Sequence, residues 1–125
     1  MEQLFLLKYS THDCSVCRSM SAFDAKVAGD LGLSFVDVDL RNPEVYRRYR
    51  KILLTRFPYK QSLALPTYLL VDEPSGDFSI LGEVIGGMPE QVFRDGLQAL
   101  LPPDRAAEGA SARPRSLGPG VRATA

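Results

Sequence analysis

Two cysteines separated by two residues, Cys14-Ser15-Val16-Cys17, constrain this chain more than any other feature, and they are its only two cysteines. They follow an apolar segment, QLFLLKY at 3–9, and a polar loop from Ser10 to Asp13. The segment reads as a buried strand of a parallel sheet. From Cys14 onward a helical period sets in: Val16, Met20, Phe23, Val27 and Leu31 fall on one stripe, with Gly32 as the stop. Cysteines at i and i+3 in the first turn of a helix stand one above the other, close enough to form or open a disulfide with little backbone movement. Cys14 would then face unpaired N–H groups and the positive end of the helix dipole, which lowers a thiol's pKa. On that reading Cys14 is the nucleophile and Cys17 the resolving thiol. Two other readings of the pair stand beside it. Free cysteines are commonly plain core residues. A Cys-x-x-Cys is also half a zinc site, but His12 is the only other soft ligand, so closing it would take a carboxylate or a second chain.

The rest of the chain supplies a frame. Residues 34–40, SFVDVDL, alternate Val36, Val38 and Leu40 against Asp37 and Asp39, a strand with one apolar face. Asn42-Pro43-Glu44 is a helix start: a capping side chain, a proline in the first turn and an acid near the dipole's positive end. Val45, Tyr49, Ile52 and Leu53 form that helix's apolar stripe. A loop is expected around Pro58 to Ser62. Thr67 to Val71 and Phe78 to Ile85 flank the turn sequence DEPSGD as a hairpin, and Pro89 opens a last helix with Val92, Phe93, Leu97 and Leu100 inward. The order predicts an α/β fold: a βαβ unit, then a hairpin and C-terminal helix. Its mixed four-stranded sheet carries helices on both faces.

Composition narrows the function. Lys and Arg total 15, and Asp and Glu total 15, so no net charge points to nucleic acid or an anionic membrane as partner. No unbroken aliphatic or aromatic run exceeds four residues, far short of the roughly 20 a spanning helix needs. The first residues, Met1-Glu2-Gln3, do not resemble a secretory signal. The charge is unevenly placed. Residues 41–60 carry seven basic side chains (Arg41, Arg47, Arg48, Arg50, Lys51, Arg56, Lys60) against Glu44 alone, a net of +6. Such a run reads first as a solvated helix face and second as a docking surface for an acidic partner. Residues 102–125, rich in Ala, Pro, Gly and Arg, read as a disordered tail behind a domain at 1–101.

A CxxC that directly follows a buried strand and opens a helix is the thioredoxin-like signal, and residues 3–101 resemble the thioredoxin family. Leu65-Pro66-Thr67, just before a strand, resembles that family's cis-proline segment, and Gly86-Gly87, before the last helix, resembles its glycine turn. The resemblance implies a thioredoxin-like fold in which Leu65, Pro66, Thr67, Gly86 and Gly87 bind substrate beside the two cysteines. It implies a protein-disulfide reductase: a cytoplasmic, monomeric thiol–disulfide oxidoreductase with no organic cofactor beyond the Cys14–Cys17 redox couple. Its clients are protein disulfides, and a thioredoxin reductase or glutathione re-reduces it. Two alternatives differ in kind: a Cys-ligated metal or iron–sulfur protein, and a redox-inactive adaptor that binds through 41–60.

The chain departs from the family in ways that bear on tuning. Ser-Val stands between the cysteines. Asp13 replaces the usual aromatic residue before Cys14, and its charge is expected to oppose the thiolate, with His12 pushing the other way if protonated. Lys8 occupies the position of the family's buried acid, six residues before the first cysteine. A charged lysine cannot accept a proton there, so the expectation is a lowered pKa, a side chain reaching solvent, or a displaced register. Asp24 is a weak substitute, more readily read as solvent-exposed. The stretch between Cys17 and Pro66 is longer than usual, and the basic helix and the Phe57–Lys60 loop occupy the excess.

Overall fold

The computed structural model describes residues 3–58 and 64–103. Its elements run β1 (Leu4–Ser10), α1 (Ser15–Met20), α2 (Asp24–Asp30), β2 (Ser34–Asp39), α3 (Pro43–Arg56), β3 (Thr67–Asp72), β4 (Ser79–Ile85) and α4 (Glu90–Leu100). The four strands form one sheet in the order β2-β1-β3-β4. β1 runs parallel to β2 and antiparallel to β3, and β3 is antiparallel to β4. The mixed sheet expected from the order of elements is therefore present. The first pair needs a crossover, which α1 and α2 provide. Leu81 is the extra residue of a bulge in β4, where the register shifts between Leu70 and Val71.

Alternation along β1 separates two cores. Leu4 and Leu6 face α1, α2 and α4, packing with Met20, Val27, Leu31, Tyr68, Leu70, Phe93 and Leu97. Leu7 and Tyr9 face α3, packing with Val38, Ile52, Leu53, Leu69 and Val71. Each fully buried leucine contributes about 1.5–3 kcal/mol of hydrophobic stabilisation. α3 begins as its sequence dictates: the Asn42 side chain accepts hydrogen bonds from the N–H groups of Glu44 and Val45, with Pro43 as the first helical residue.

Two stripes differ from the expected pattern. The helix after Cys14 is not continuous. Ala22 N–H bonds to Ser19 and Phe23 N–H to Met20, three residues back, before Val27 resumes the four-residue step to Phe23. This tighter turn at 21–23 rotates α2 relative to α1. Met20, Val27 and Leu31 stay buried while Val16, in the expected inward stripe, is 41% exposed. Val92 in α4 is likewise 53% exposed, because Phe93 takes the inward position. Of the loop expected around Pro58 to Ser62, positions 59–62 lie outside the described residues, as does the expected tail 102–125 from 104 onward.

α2 is tied to α4 at the surface. Arg94 Nη1 and Lys26 Nζ both reach Asp30 Oδ2, at 3.1 and 3.2 Å, and Arg94 Nη2 also reaches Glu90. Desolvation works against the ionised Asp30 carboxyl, but Lys26 and Arg94 more than offset it and hold it below the usual carboxylate range. A depressed folded-state pKa gives stability that is present above the unfolded value, about 3.9, and lost as pH falls through the folded value. Arg94→Met keeps the side-chain stem and removes the charge. It is expected to lower the urea midpoint at neutral pH, with the gap to wild type closing as pH is lowered below about 3.9. A gap that stays constant with pH would show that Arg94 acts only through packing.

Candidate active site

Cys14 is the N-cap of α1 and Cys17 lies one turn inside it. The Cys17 N–H donates to Cys14 Sγ at 3.1 Å, so the first sulfur receives one of the helix's otherwise unpaired donors. The two cysteines form a disulfide, with their Cα atoms 5.2 Å apart. Cys14 is half-exposed and Cys17 is buried. One sulfur is thus presented outward and the other is held behind it.

The loop before Cys14 is more nearly neutral than its sequence suggests. The Asp13 carboxyl is held below the usual carboxylate range by a hydrogen bond from the Thr11 side chain and then by Arg41, so it is an anion at neutral pH. Arg41 Nη2 lies 2.9 Å from Asp13 Oδ2. The expected opposition of Asp13 to a Cys14 thiolate is therefore offset by a guanidinium from the β2–α3 connection. Nothing in the sequence spacing marks Arg41 as a neighbour of residue 13. His12 is exposed, and its carbonyl accepts a hydrogen bond from Arg18 Nη1 at 2.9 Å.

The glycine turn and the proline segment meet each other. The Leu65–Pro66 peptide bond is cis, and Gly86 N–H donates to the Pro66 carbonyl at 2.8 Å. Gly86 has φ +89°, a conformation that favours glycine. A Cβ on Gly87 would lie 2.5 Å from Val16 Cγ1, so the turn packs directly on the residue between the cysteines. This close approach is why Val16 faces Gly87 rather than the core. Leu65 is half-buried, and the buried Thr67 donates its hydroxyl to the Ala64 carbonyl at 2.6 Å.

Lys8 neither reaches solvent nor is displaced from the strand register. It is 1% exposed, in register with Asp37 on β2 and Tyr68 on β3, and its Nζ lies 2.6 Å from Asp24 Oδ2. Asp24 is correspondingly buried and not solvent-exposed. Lys8 Nζ also donates to the Cys17 carbonyl at 3.0 Å and to Ser21 Oγ at 2.9 Å, which satisfies all three ammonium protons. The Tyr68 hydroxyl donates to Asp24 Oδ2 at 2.9 Å. Burial first, and the Asp24 carboxylate second, push the Tyr68 phenol well above its ordinary range, so it stays a donor. Ser21 and Tyr68 have no marker of their own in the sequence; only the register of β1 against β3 places Tyr68 beside Lys8.

On α3, Arg47, Arg48, Arg50 and Lys51 are exposed, and no ion pair engages them among the described residues. Arg56, by contrast, pairs with Glu83 at 2.7 Å. Among the described residues no group of three or more His, Cys, Asp or Glu side chains is placed to hold a metal ion. No helix among them is long and apolar enough to cross a membrane.

No family model and no curated protein sequence matches the chain. Solved structures do. A thioredoxin from Thermus thermophilus superimposes with a TM-score of 0.56 at 16% identity, over 78% of this chain and 73% of that one. Fasciola hepatica thioredoxin gives 0.55 at 17%, over 79% and 82%. Spinach chloroplast thioredoxin f gives 0.54 at 22%, over 79% and 77%. At this level of identity the likeness establishes the fold, which is thioredoxin-like.

The contact between Gly87 and Val16 gives a direct test of how the two loops meet. Gly87→Ala is expected to cost about 1 kcal/mol, because the β-branched Val16 has few alternative rotamers. Adding Val16→Ala should restore most of the loss. A double-mutant cycle by urea denaturation measures the coupling; strict additivity would mean that the two residues do not meet in solution.

Proposed function

We propose that the chain is a thiol–disulfide oxidoreductase that reduces protein disulfides. One observation carries the reading: a disulfide within a single helical turn, whose first sulfur is the half-exposed N-cap and receives the Cys17 N–H. The Cys14 thiolate attacks a client disulfide. One client sulfur leaves as a thiolate, and a Cys14–client mixed disulfide forms. Cys17 then attacks Cys14 Sγ, the Cys14–Cys17 bond closes and the second client thiol is released. The client gains the two electrons that the dithiol loses, so no organic cofactor takes part. A thioredoxin reductase or glutathione restores the dithiol, which suits a reducing, cytoplasmic setting and a monomer. Leu65, Gly86 and Gly87 form the surface that receives the client strand; Pro66 and Thr67, expected to bind it too, are buried behind that surface. The reading is supported by the thioredoxin-like fold and by the packing of Gly87 on Val16.

In the reduced protein, brief alkylation followed by mass spectrometry is expected to label Cys14 before Cys17. Cys17→Ser should accumulate mixed disulfides with clients, since the resolving thiol is gone. Preferential labelling of Cys17 would reverse the two roles.

The exposed cations of α3, engaged by no ion pair among the described residues, favour an acidic partner. Four like charges on one helix produce a local field that raises the encounter rate with an acidic client and fades with salt. Reversing Arg47, Arg48 and Lys51 to Glu should leave reduction of a small uncharged disulfide unchanged. It should slow reduction of an acidic protein disulfide by about tenfold or more at low ionic strength. Equal effects on both substrates, or none on either, would reduce the helix face to a solvated surface.

A further inference from the structure

The contact that the cysteine chemistry leaves unexplained is the one behind Cys17. We propose that Lys8 is a positioning residue: it holds Cys17 by its carbonyl and keeps a positive charge behind the resolving sulfur, so that Cys17 reacts as a thiolate while the nearby buried carboxylate, Asp24, stays engaged by Lys8 and Tyr68 and does not receive its proton. This rests on the oxidoreductase reading above and specifies how its second step is tuned.

The geometry separates the two ends of the buried pair. Lys8 Nζ bonds the Cys17 carbonyl at 3.0 Å, while the Asp24 carboxylate is shared between Lys8, at 2.6 Å, and the Tyr68 hydroxyl, at 2.9 Å. The cationic end is the one joined to Cys17. Ser21 Oγ completes the arrangement, accepting from Lys8 at 2.9 Å and donating to the Cys17 carbonyl at 3.1 Å. The charged and titratable groups around Lys8 are few. β2 contributes Asp37, whose Oδ1 accepts from Ser10 Oγ at 2.9 Å; β3 contributes Tyr68; α2 contributes Asp24. α4 presents Phe93, stacked at a tilt on Tyr68 with ring centroids 4.7 Å apart. In such an environment a charge acts more strongly than in water. The step balances simply. The Cys17 proton leaves to solvent, the thiolate attacks Cys14 Sγ, the Cys14–client bond breaks, and the departing client thiolate takes a proton from solvent.

The first test leaves Lys8 in place. In Cys14→Ser protein, the rate of Cys17 alkylation against pH should have its midpoint below the ordinary thiol value of about 8.5. Burial alone would raise it, so a midpoint at or above that value overturns the proposal. The second test removes both charges together, as Lys8→Gln/Asp24→Asn and as Lys8→Met/Asp24→Leu in the same background. Apolar replacement of a buried ion pair is often neutral or stabilising, and whichever pair folds decides. The midpoint should rise by about one unit. At a pH above both midpoints, the equilibrium of the two-cysteine protein with glutathione should move about tenfold toward the disulfide, a fall of about 30 mV for a two-electron couple. An unchanged midpoint and equilibrium in a folded double variant would overturn the proposal. Failure of the wild-type protein to reduce any client, with the Cys17 midpoint low as expected, would instead overturn the oxidoreductase reading alone.

Discussion

The 2.6 Å contact between Lys8 Nζ and Asp24 Oδ2 is the constraint around which the cysteine side of the molecule is arranged. Taking two charges out of water is costly, and the attraction between them offsets this only when the remaining hydrogen-bonding capacity is also met. Here it is met from four directions. β1 brings the ammonium, α2 the carboxylate, β3 the Tyr68 hydroxyl, and α1 with its C-cap the Cys17 carbonyl and Ser21 hydroxyl. Removing one partner of such a pair costs about 3–5 kcal/mol, because the other is left charged and unpaired. A buried charge that needs partners from several elements also fixes how those elements sit relative to one another. The break between α1 and α2 falls where Ser21 turns its hydroxyl to Lys8 and to the Cys17 carbonyl.

The same features mark the boundary of what could be read from residues alone. The strand-then-CxxC order, the Asn42-Pro43-Glu44 helix start and the hairpin around DEPSGD all act through local rules, and all are legible. Val16 was not, because its neighbour Gly87 is brought to it by the β4–α4 turn, far along the chain; the tighter turn at 21–23 comes after Val16, and Met20, one turn on in the same helix, stays buried. Lys8 stood out as the wrong charge for its position, but its resolution lies sixteen residues away in Asp24, whose burial is a property of tertiary packing. Arg41 and Asp13 are likewise brought together by the sheet, since Leu40 N–H bonds the Ser10 carbonyl where β1 and β2 end side by side.

That pairing of strand ends explains why the candidate site draws on several loops and yet has little freedom. The Cys14 loop is held to the β2–α3 connection through Asp13 and Arg41, and to the β4–α4 turn through Val16 and Gly87. The β4–α4 turn is in turn held to Pro66 by the Gly86 N–H. Exposed ion pairs contribute little individually. The rigidity comes from the close approaches and backbone hydrogen bonds, while the ion pair balances the charge next to Cys14.

The strand order has a consequence of a different kind. In the sequence β2-β1-β3-β4 the outer strands are β2 and β4, and each would present open backbone groups to a neighbouring molecule. Along β2, Asp37 is exposed and Asp39 half-exposed, so a second copy laid edge to edge would bring like charges together. Along β4, the bulge at Leu81 interrupts the ladder and twists the edge away from a flat partner. The two strands that could template aggregation are thereby guarded by different means, one electrostatic and one geometric, and the electrostatic guard alone weakens as the carboxyls are neutralised by acid or screened by salt.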